Sequence, residues 1–539
     1  MSVGSRSWSL PAERDRAATA AALALVIFLG SWVSLHYGWL RRGQIADTPV
    51  YQHYGDAMAR GHVPYRDFSV EYPPGALPTF VLPSLGNESD FHAFRRAFEA
   101  EMWASGAAML LAIAAALGAL RAGPARLYAT LALAAVSPLL LGSVVLSRYD
   151  LWPTALTAGA LAALLARRFR LGHGLLGIGI AAKLWPGVLL PLAVVQVWRT
   201  RGRREALVCL GVLVAVLAAI VVPFVAVAPH GVWETVVRQS TRPLQVESLG
   251  AALLVASHHL FGTGVTMVSS HGSQNVGGHA ANVIAALQTV LQGAALVAIW
   301  SLFARRRRAF RDDLVQSSAA AVVAFVALGK VLSPQFLIWL IPFVPLVRRR
   351  SSKILFVGAL VLTQAWFPHR YWDYALHFNT TTSWLVLARD VVLLALLGTL
   401  VVPQRRTWDG QPIARTNPIA VAVVVRRGDE YLLLHRAHEG PDYAGEWAWG
   451  LPAGARHPGE DVEACARREL REETGLELPV RRTDAGDEMC VVYVADAPLH
   501  ADVELSREHD AFRWLPLEDA VRLCSPPPVA EQLRAAAGS

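Results

Sequence analysis

"GARHPGEDVEACARRELREETGL", residues 454–476, decides how the C-terminal part of the chain is read. Its later half is a run of helix formers that stops at Gly475, the residue type expected just past a helix end. On that helix Glu469, Glu472 and Glu473 stand at i, i+3 and i+4, so their carboxylates crowd one face. Like charges at these offsets repel, and ordinary surface helices place lysine or arginine there instead. A divalent cation is the economical compensation. Mg2+, with Mn2+ as its substitute, takes hard oxygen ligands and keeps positions open for water and phosphate. Arg468 is placed to hold the neighbouring acids by charge-assisted hydrogen bonds. Leu470 and Leu476 anchor the unit to a core, while Gly454 and Gly475 permit tight turns at its two ends.

Outward from this helix the pattern is one of strands. After Pro418, "IAVAVVVRR" and "YLLLHRA" flank a "GDE" turn and read as a hairpin. "EWAWGLPAGA" reads as a short aromatic strand leading into a glycine-containing loop. "MCVVYVADA" and "AFRWLPLEDA" read as further strands, the latter running into a final helix that includes "VAEQLRAAA". Strands around one charged helix make an α/β domain over 418–539, large enough to bury its own core.

The rest of the chain is of another kind. Its 539 residues exceed one ordinary domain, and a composition 54% hydrophobic and 17% charged is lean for a soluble protein. Up to about Pro403 the apolar residues come in blocks of roughly 15 to 25, the length that spans a bilayer as helix. Beyond Asn417 such blocks vanish. The expectation is an all-α polytopic membrane domain over 1–403, a linker at 404–417 and the α/β domain at 418–539. The first block, Ala17 to Leu40, is too long for a signal peptide and lacks a small-x-small site, so it reads as an uncleaved span. Cys209, Cys465, Cys490 and Cys524 show no paired spacing, which fits a reducing compartment and suggests neither zinc nor disulfides.

The formal charge of +8 does not point to nucleic acid, because the arginines cluster between apolar blocks. Arg167, Arg168 and Arg170, the group from Arg199 to Arg204, Arg305 to Arg308, Arg348 to Arg350, and Arg405 with Arg406 read as cytoplasmic topology markers. Threading on them gives about twelve crossings with both termini cytoplasmic. Blocks 171–198 and 313–347, cationic at both ends, dip in and return, turning at 183–186 and 330–334. Segments 41–99 and 229–279 lie outside. Against the bias, Arg148, Lys183, Arg242, Lys330 and Arg370 fall at outer turns, together with Asp47, Asp56, Glu71 and Asp150. Any one of them is explained by snorkelling or local pairing. Together, beside aromatics or proline, they mark a substrate path. Cations facing the outer leaflet suit a lipid-linked phosphate, and a nearby carboxylate suits a base.

Two resemblances attach to these residues. Gly454, Glu460, Arg468, Glu469, Glu472, Glu473 and Gly475, with Leu470 and Leu476, fill every position of the Nudix box, so residues 416–539 resemble Nudix hydrolases. The resemblance implies a mixed sheet with a catalytic loop-helix-loop, and hydrolysis of a nucleoside diphosphate linked to some group X. In that scheme Glu469, Glu472 and Glu473 hold metal, Glu460 and Arg468 support them, and Glu508 in "SREHDAFRW" is a candidate further ligand or base. His509 beside it reads as structural. Ala453 departs from the glycine of many relatives, next to a loop carbonyl that can ligate metal. Residues 15–402 resemble the C-superfamily membrane glycosyltransferases, nearest the actinobacterial polyprenol-phosphate-dependent mannosyltransferase-like group. Asp47, Tyr51, Gly61 with Tyr65, and Tyr72-Pro73-Pro74 carry it, along with "AAKLWPGVLLPL" and "KVLSPQFLIWLIPF". It implies transfer of a sugar from a polyprenyl phosphate to an acceptor hydroxyl on the outer face, with Asp47 as base and Asp56 and Glu71 as rivals.

The expected partners are therefore a nucleoside diphosphate derivative, a polyprenyl-phosphate-linked sugar and membrane lipid. Two alternatives stay open: a Nudix part that only senses a nucleotide or nucleotide sugar, and a membrane part that transports lipid or solute. The intact acid set favours catalysis over sensing, and no internal repeat supports a transporter.

Overall fold

The computed structural model describes residues 10–41, 45–120, 122–305, 311–402, 407–408, 411–412, 414, 417–437, 443, 447–506, 508–525 and 527–538. Arg306 to Arg308, Arg405, Arg406, Glu446 and most of the expected linker lie outside the described residues. The chain forms two compact units, one over 11–402 and one over 403–539.

The first unit is helical: α1 Leu10–Ser34, α2 Thr48–Ala59, α3 Pro78–Ser84, α4 Phe91–Ala119, α5 Pro124–Leu141, α6 Leu151–Leu165, α7 Phe169–Ala182 and α8 Leu190–Val227. It continues with α9 Pro229–Ser240, β1 Leu244–Gln245, α10 Leu249–Phe261, β2 Thr266–Ser270, β3 Ser273–Gly277, α11 His279–Arg305, α12 Arg311–Ala327, α13 Arg350–Trp366, α14 Tyr371–His377 and α15 Thr380–Val401. Among the described residues six helices are long and apolar enough to cross a membrane, and α6, α7 and α10 are shorter apolar helices. The count of about twelve is not reached on length alone, because the paired blocks are built from short pieces. Block 171–198 turns where expected: α7 stops before Lys183, and a 3-10 turn at Trp185–Leu189 leads into α8. The expected gap between Trp198 and Glu205 falls at Gly202, where two helices meet within the range given as α8; its φ of 82° and ψ of 175° suit glycine alone. Block 313–347 is helical only to Ala327; beyond Pro334 it is a 3-10 turn and further turns.

The segments assigned to the outside are more structured than expected. Segment 41–99 contains α2 and α3, and α4 begins at Phe91, capped by Asp90. Segment 229–279 contains α9, α10 and a small antiparallel sheet in the order β1-β3-β2. Tyr72-Pro73-Pro74 is followed by Gly75, which rests on the end of α7. A methyl group at Gly75 would lie 2.5 Å from the Ala181 carbonyl carbon. Trp152 Nε1 donates to the Gly75 carbonyl at 3.2 Å and Tyr149 Oη to that of Ala182 at 3.3 Å. The tyrosines form one aromatic cluster, in which Tyr51 stacks on Phe80 at 4.7 Å and meets Tyr72 edge-on at 5.6 Å.

The second unit carries a small hairpin, β4 Thr407–Trp408 with β5 Gln411–Pro412, and a mixed sheet. Its strands are β6 Ala420–Arg427, β7 Glu430–Arg436, β8 Trp449–Gly450, β9 Ala453–Ala455, β10 Arg481–Gly486, β11 Cys490–Asp496 and β12 His509–Pro516. They run in the order β10-β11-β6-β7-β12, with β8 on β7 and β9 on β6; β11 and β6 are parallel, and the other pairs antiparallel. Helix α16 Val462–Thr474 covers one face through Cys465, Ala466 and Leu470 on Val421, Val423 and Val425. Helices α17 Leu517–Leu523 and α18 Pro527–Ala537 cover the other, with Ala520, Leu533 and Ala536 on Ala422, Val424 and Leu433. Burial on both faces is why β6 reads as an unbroken apolar run. The sequence reading missed β10 and joined β8 to β9, which Leu451 and Pro452 separate. It also merged α17 with α18.

Candidate functional site

The acidic helix is fixed at both ends by its own sequence. The Asp461 carboxylate accepts from the Glu463 and Ala464 amides at 3.0 and 3.2 Å, and Gly475 closes the helix in the left-handed conformation at φ 71°. Strand β9 runs alongside, and Gly454 leaves room for the acid behind it: a methyl group there would lie 2.0 Å from the Glu469 carboxyl carbon. Arg468 organises the cluster. Its Nε and Nη2 grip Glu460 Oε1 and Oε2 at 2.7 and 3.0 Å, and Nη1 donates to Glu469 Oε1 at 2.7 Å and Glu472 Oε2 at 3.2 Å. Nη2 also reaches the Ala455 carbonyl at 3.1 Å, tying the helix to β9.

Glu473 Oε2 accepts from the amide of Ala453, the residue before Gly454, at 2.9 Å. Glu469 and Glu473 are buried, whereas the Glu472 side chain is 55% exposed. Burial pushes the Glu473 carboxyl well up and the Glu469 carboxyl up, with Arg468 opposing the second shift. Glu460 goes the other way: burial alone would raise it, but the Arg468 and His457 hydrogen bonds hold it at about 2. The charge of Glu508 acts on Glu473, and its carbonyl accepts from the Ala437 amide at 2.8 Å. His509 Nδ1 lies 3.4 Å from Ser506 Oγ. Glu460, Arg468, Glu469 and Glu472 thus form one hydrogen-bonded cluster beside Gly454, Glu473 is held by the Ala453 amide, and Glu508 lies within electrostatic reach of Glu473.

Among the described residues no three His, Cys, Asp or Glu side chains already converge as a metal cluster. The donor chemistry nevertheless suits a hard divalent cation. Three carboxylates share one helix face, and burial strains two of them toward the protonated form, a strain that a nearby double positive charge relieves. One polar pair in this unit was not foreseen: buried His435 bonds Asp510 Oδ1 through Nδ1 at 2.5 Å and the Tyr443 carbonyl through Nε2 at 2.8 Å. Its signal was present, since a histidine on the Leu433 face of β7 needs partners there.

In the helical unit four of the five unexpected cations gather. Arg148 is buried, ion-paired with Asp47, and donates to the Ile45 carbonyl at 3.4 Å. Lys183 Nζ meets Asp150 Oδ1 at 2.7 Å, an oxygen that also accepts from Trp339 Nε1 at 2.6 Å, and lies 4.7 Å from the Tyr149 ring. Arg242 lies within electrostatic reach of Lys183, Lys330, Glu71 and Glu247. Lys330 sits at the rim, its Nζ on the Ser240 carbonyl at 3.2 Å. Arg370 is exposed and lies outside this group. Of the rival acids, Asp56 is turned to the Ser89 amide at 3.0 Å and Glu71 to Arg238 at 3.0 Å.

The sequence reading overlooked Glu247, which is buried, accepts from Gln245 Nε2 at 2.7 Å, and is within electrostatic reach of Arg148, Arg242 and Arg389. An acid five positions after Arg242, in the same apolar stretch, was the available signal. Arg148 Nε, Arg242 Nε and Glu247 Oε1 are buried without a hydrogen-bond partner among the described residues. Buried guanidinium donors left open in this way are suited to receive an anion.

Comparison with known proteins gives a consistent picture. Residues 416–536 match the family model "NUDIX domain", residues 70–334 "Glycosyltransferase family 87" and residues 278–403 "Mannosyltransferase (PIG-M)". The chain is 35% identical over 107 residues to the asymmetrical bis(5'-nucleosyl)-tetraphosphatase of Mus musculus, a match covering 17% of this chain and 69% of that protein. It is 34% identical over 127 residues to the octanoyltransferase of Myxococcus xanthus, covering 21% of this chain but only 34% of that protein. Among solved structures, the MutT protein of Methanosarcina mazei Go1 is 26% identical with a TM-score of 0.19, covering 23% of this chain and 96% of that one. The matched portions therefore carry a Nudix hydrolase domain behind a glycosyltransferase-type membrane region.

Proposed function

We propose that this chain, which belongs to the Nudix family through its C-terminal domain, is a divalent-metal-dependent pyrophosphohydrolase of a nucleoside diphosphate derivative. The observation that carries this is Arg468 holding Glu460, Glu469 and Glu472 at once, beside a glycine that leaves Glu469 its space. Glu469, Glu472 and Glu473 would hold Mg2+ or Mn2+, which supplies charge neutralisation for the transferring phosphoryl group and acidifies water. Arg468 keeps the acids aligned but is too deeply engaged to leave them. The Ala453 amide orients Glu473, and Glu508, whose charge acts on Glu473, would serve as a further metal ligand or as the base for the attacking water. The purified chain with Mg2+ should release phosphate-containing products from one member of a broad panel of nucleotides, and Glu472→Gln should abolish release. Inactivity of the correctly folded chain across that panel would favour a sensor instead.

The membrane part is proposed to transfer a sugar from a polyprenyl phosphate to an acceptor hydroxyl. Arg148, Lys183 and Arg242 bind the phosphate, with Lys330 at the rim. Asp47 takes the acceptor proton. Because Asp47 is tied to Arg148, the donor phosphate competes for that arginine and loosens the carboxylate as it binds. The topology that goes with this reading has about twelve crossings, both termini and the Nudix domain on the cytoplasmic side, and Asp47 and Asp56 outside. Asp47→Asn should stop transfer while leaving the protein inserted; undiminished transfer would remove Asp47 as base.

A further inference from the structure

Four cations in and around the buried cluster of the helical unit have a carboxylate of their own. Arg148 is paired with Asp47, Lys183 with Asp150, Arg238 with Glu71 and Arg389 with Asp390. Arg242 is in no ion pair among the described residues. The carboxylates within its electrostatic reach are Glu71, already engaged by Arg238, and Glu247. Glu247 is 2% exposed, and its Oε1 is buried without a hydrogen-bond partner among the described residues. It is also not free to turn aside. Its Oε2 accepts from Gln245 Nε2 at 2.7 Å, and the same nitrogen donates to Ser333 Oγ at 2.7 Å. The Glu247 carbonyl accepts from Arg389 Nη2 at 2.7 Å, and the Val246 carbonyl from Tyr374 Oη at 2.6 Å. The Gln245 and Val246 amides donate to the Lys330 and Gln274 carbonyls, both at 3.0 Å. The acid is therefore held from α14, α15, β3 and the segment before Pro334. The charged and titratable groups that face it are Arg148, Arg242, Arg389 and Asp390 of α15, and Tyr371 and Tyr374 of α14. The N-terminus of α10 follows directly. Burial pushes the Glu247 carboxyl up to about 8, against the pull of Arg389 and Arg148.

We propose that Glu247 is a fixed counter-charge of the phosphate site: it balances Arg242 and Arg148 while the site is empty and takes up a proton when a phosphate binds them. A phosphate and a carboxylate that compete for the same guanidinium groups away from water repel each other strongly. A mobile acid would escape by swinging out to solvent. Glu247 is clamped, so the response left to it is neutralisation. The proton has a place on Oε1, the oxygen with no donor to accept from, and it turns that oxygen from an unsatisfied acceptor into a hydrogen-bond donor. Phosphate and proton are then bound together. Affinity for the anion is full below about pH 8 and falls as pH rises above it, because each ligand bound must bring its own proton there. The inference rests on the reading of this cluster as a phosphate site.

Equilibrium binding of farnesyl methyl phosphate to the purified full chain in detergent tests it. This phosphodiester carries one negative charge that does not titrate in the range used, so any pH dependence belongs to the protein. Its Kd should be level from about pH 6 to about pH 7.5 and rise about tenfold per pH unit above about pH 8. In Glu247→Gln the Kd should stay near the parent's neutral value throughout, whereas Glu247→Asp, still an acid, should keep a slope. The unaltered chain in weak buffer at about pH 9 should take up close to one proton per probe bound, read with a pH indicator, a measurement that depends on no variant folding. Arg242→Gln should weaken binding about tenfold at neutral pH, which locates the probe. A slope that persists in Glu247→Gln, or binding at about pH 9 with no proton taken up, would overturn the proposal and leave the phosphate site standing. Absence of binding at every pH, or binding indifferent to Arg242→Gln, would overturn the phosphate-site reading and the proposal together.

Discussion

Gly454 and Arg468 show how much of the hydrolase site is decided by single residues. Gly454 has ordinary strand geometry, so alanine there is barred by its neighbour and not by its backbone: the added methyl would meet the Glu469 carboxylate. Gly454→Ala should lower kcat about a hundredfold and destabilise the domain by about 1–3 kcal/mol, read by hydrolysis assays and melting. Glu460 makes a second prediction. Its carboxyl is held at about 2 against an ordinary 4.5, so its contribution to stability is full above pH 4.5 and is lost as pH falls through 2. Glu469 and Glu473 are shifted upward, and their protonation favours the fold as pH falls, so the two effects oppose. Glu460→Gln should flatten the acid limb of the stability curve between about pH 4.5 and 2, measured by circular dichroism. The acids and their arginine were legible because their offsets on a helix already fix their geometry. The Ala453 amide was not, since a backbone donor carries no mark in the sequence.

At the scale of elements, capping is the best-resolved contribution. Asp461 satisfies two amides at the start of α16, and Asp461→Ala should cost about 1 kcal/mol in melting experiments while leaving the arrangement of Arg468 and Glu460 in place. Elements were legible where an apolar pattern matched one structure. Strand β6 was found because valines bury on both of its faces, whereas β10, "RRTDAG", buries only Thr483 and offers no alternation to detect. Helix α9 failed for another reason. Amphipathy is visible in "PHGVWETVVRQS", but which face meets the protein depends on the carbonyls of Val70 and Glu71, far away in sequence. The kink in α8 was foreseen only as a gap. Arg199 to Arg204 suggested a loop, and the break is confined to Gly202, where one helix ends and the next begins.

For the whole molecule, the change of composition near residue 403 was the plainest feature of the sequence, and the second unit carries its own cores on both faces of its sheet. Residues 418–539 made alone should therefore unfold cooperatively on heating, with one transition by near- and far-ultraviolet circular dichroism. Loss of near-ultraviolet signal before far-ultraviolet signal would show that the sheet needs the rest of the chain. The membrane cluster was legible only in part. Lys183, Arg148 and Arg242 stood out as misplaced cations, but the pairing of Arg148 with Asp47 and the burial of Glu247 within electrostatic reach of Arg148 arise from segments far apart in the sequence.

Gly75 crosses the end of α7 with bare backbone against bare backbone, two residues' breadth from the lysine that grips Asp150. Side chains cushion displacement by changing rotamer; a peptide seam has no such slack. A shift of the tyrosine-proline segment would therefore press directly on the backbone just before Lys183, and a probe attached near Tyr72 would test whether anion loading at that lysine moves the seam.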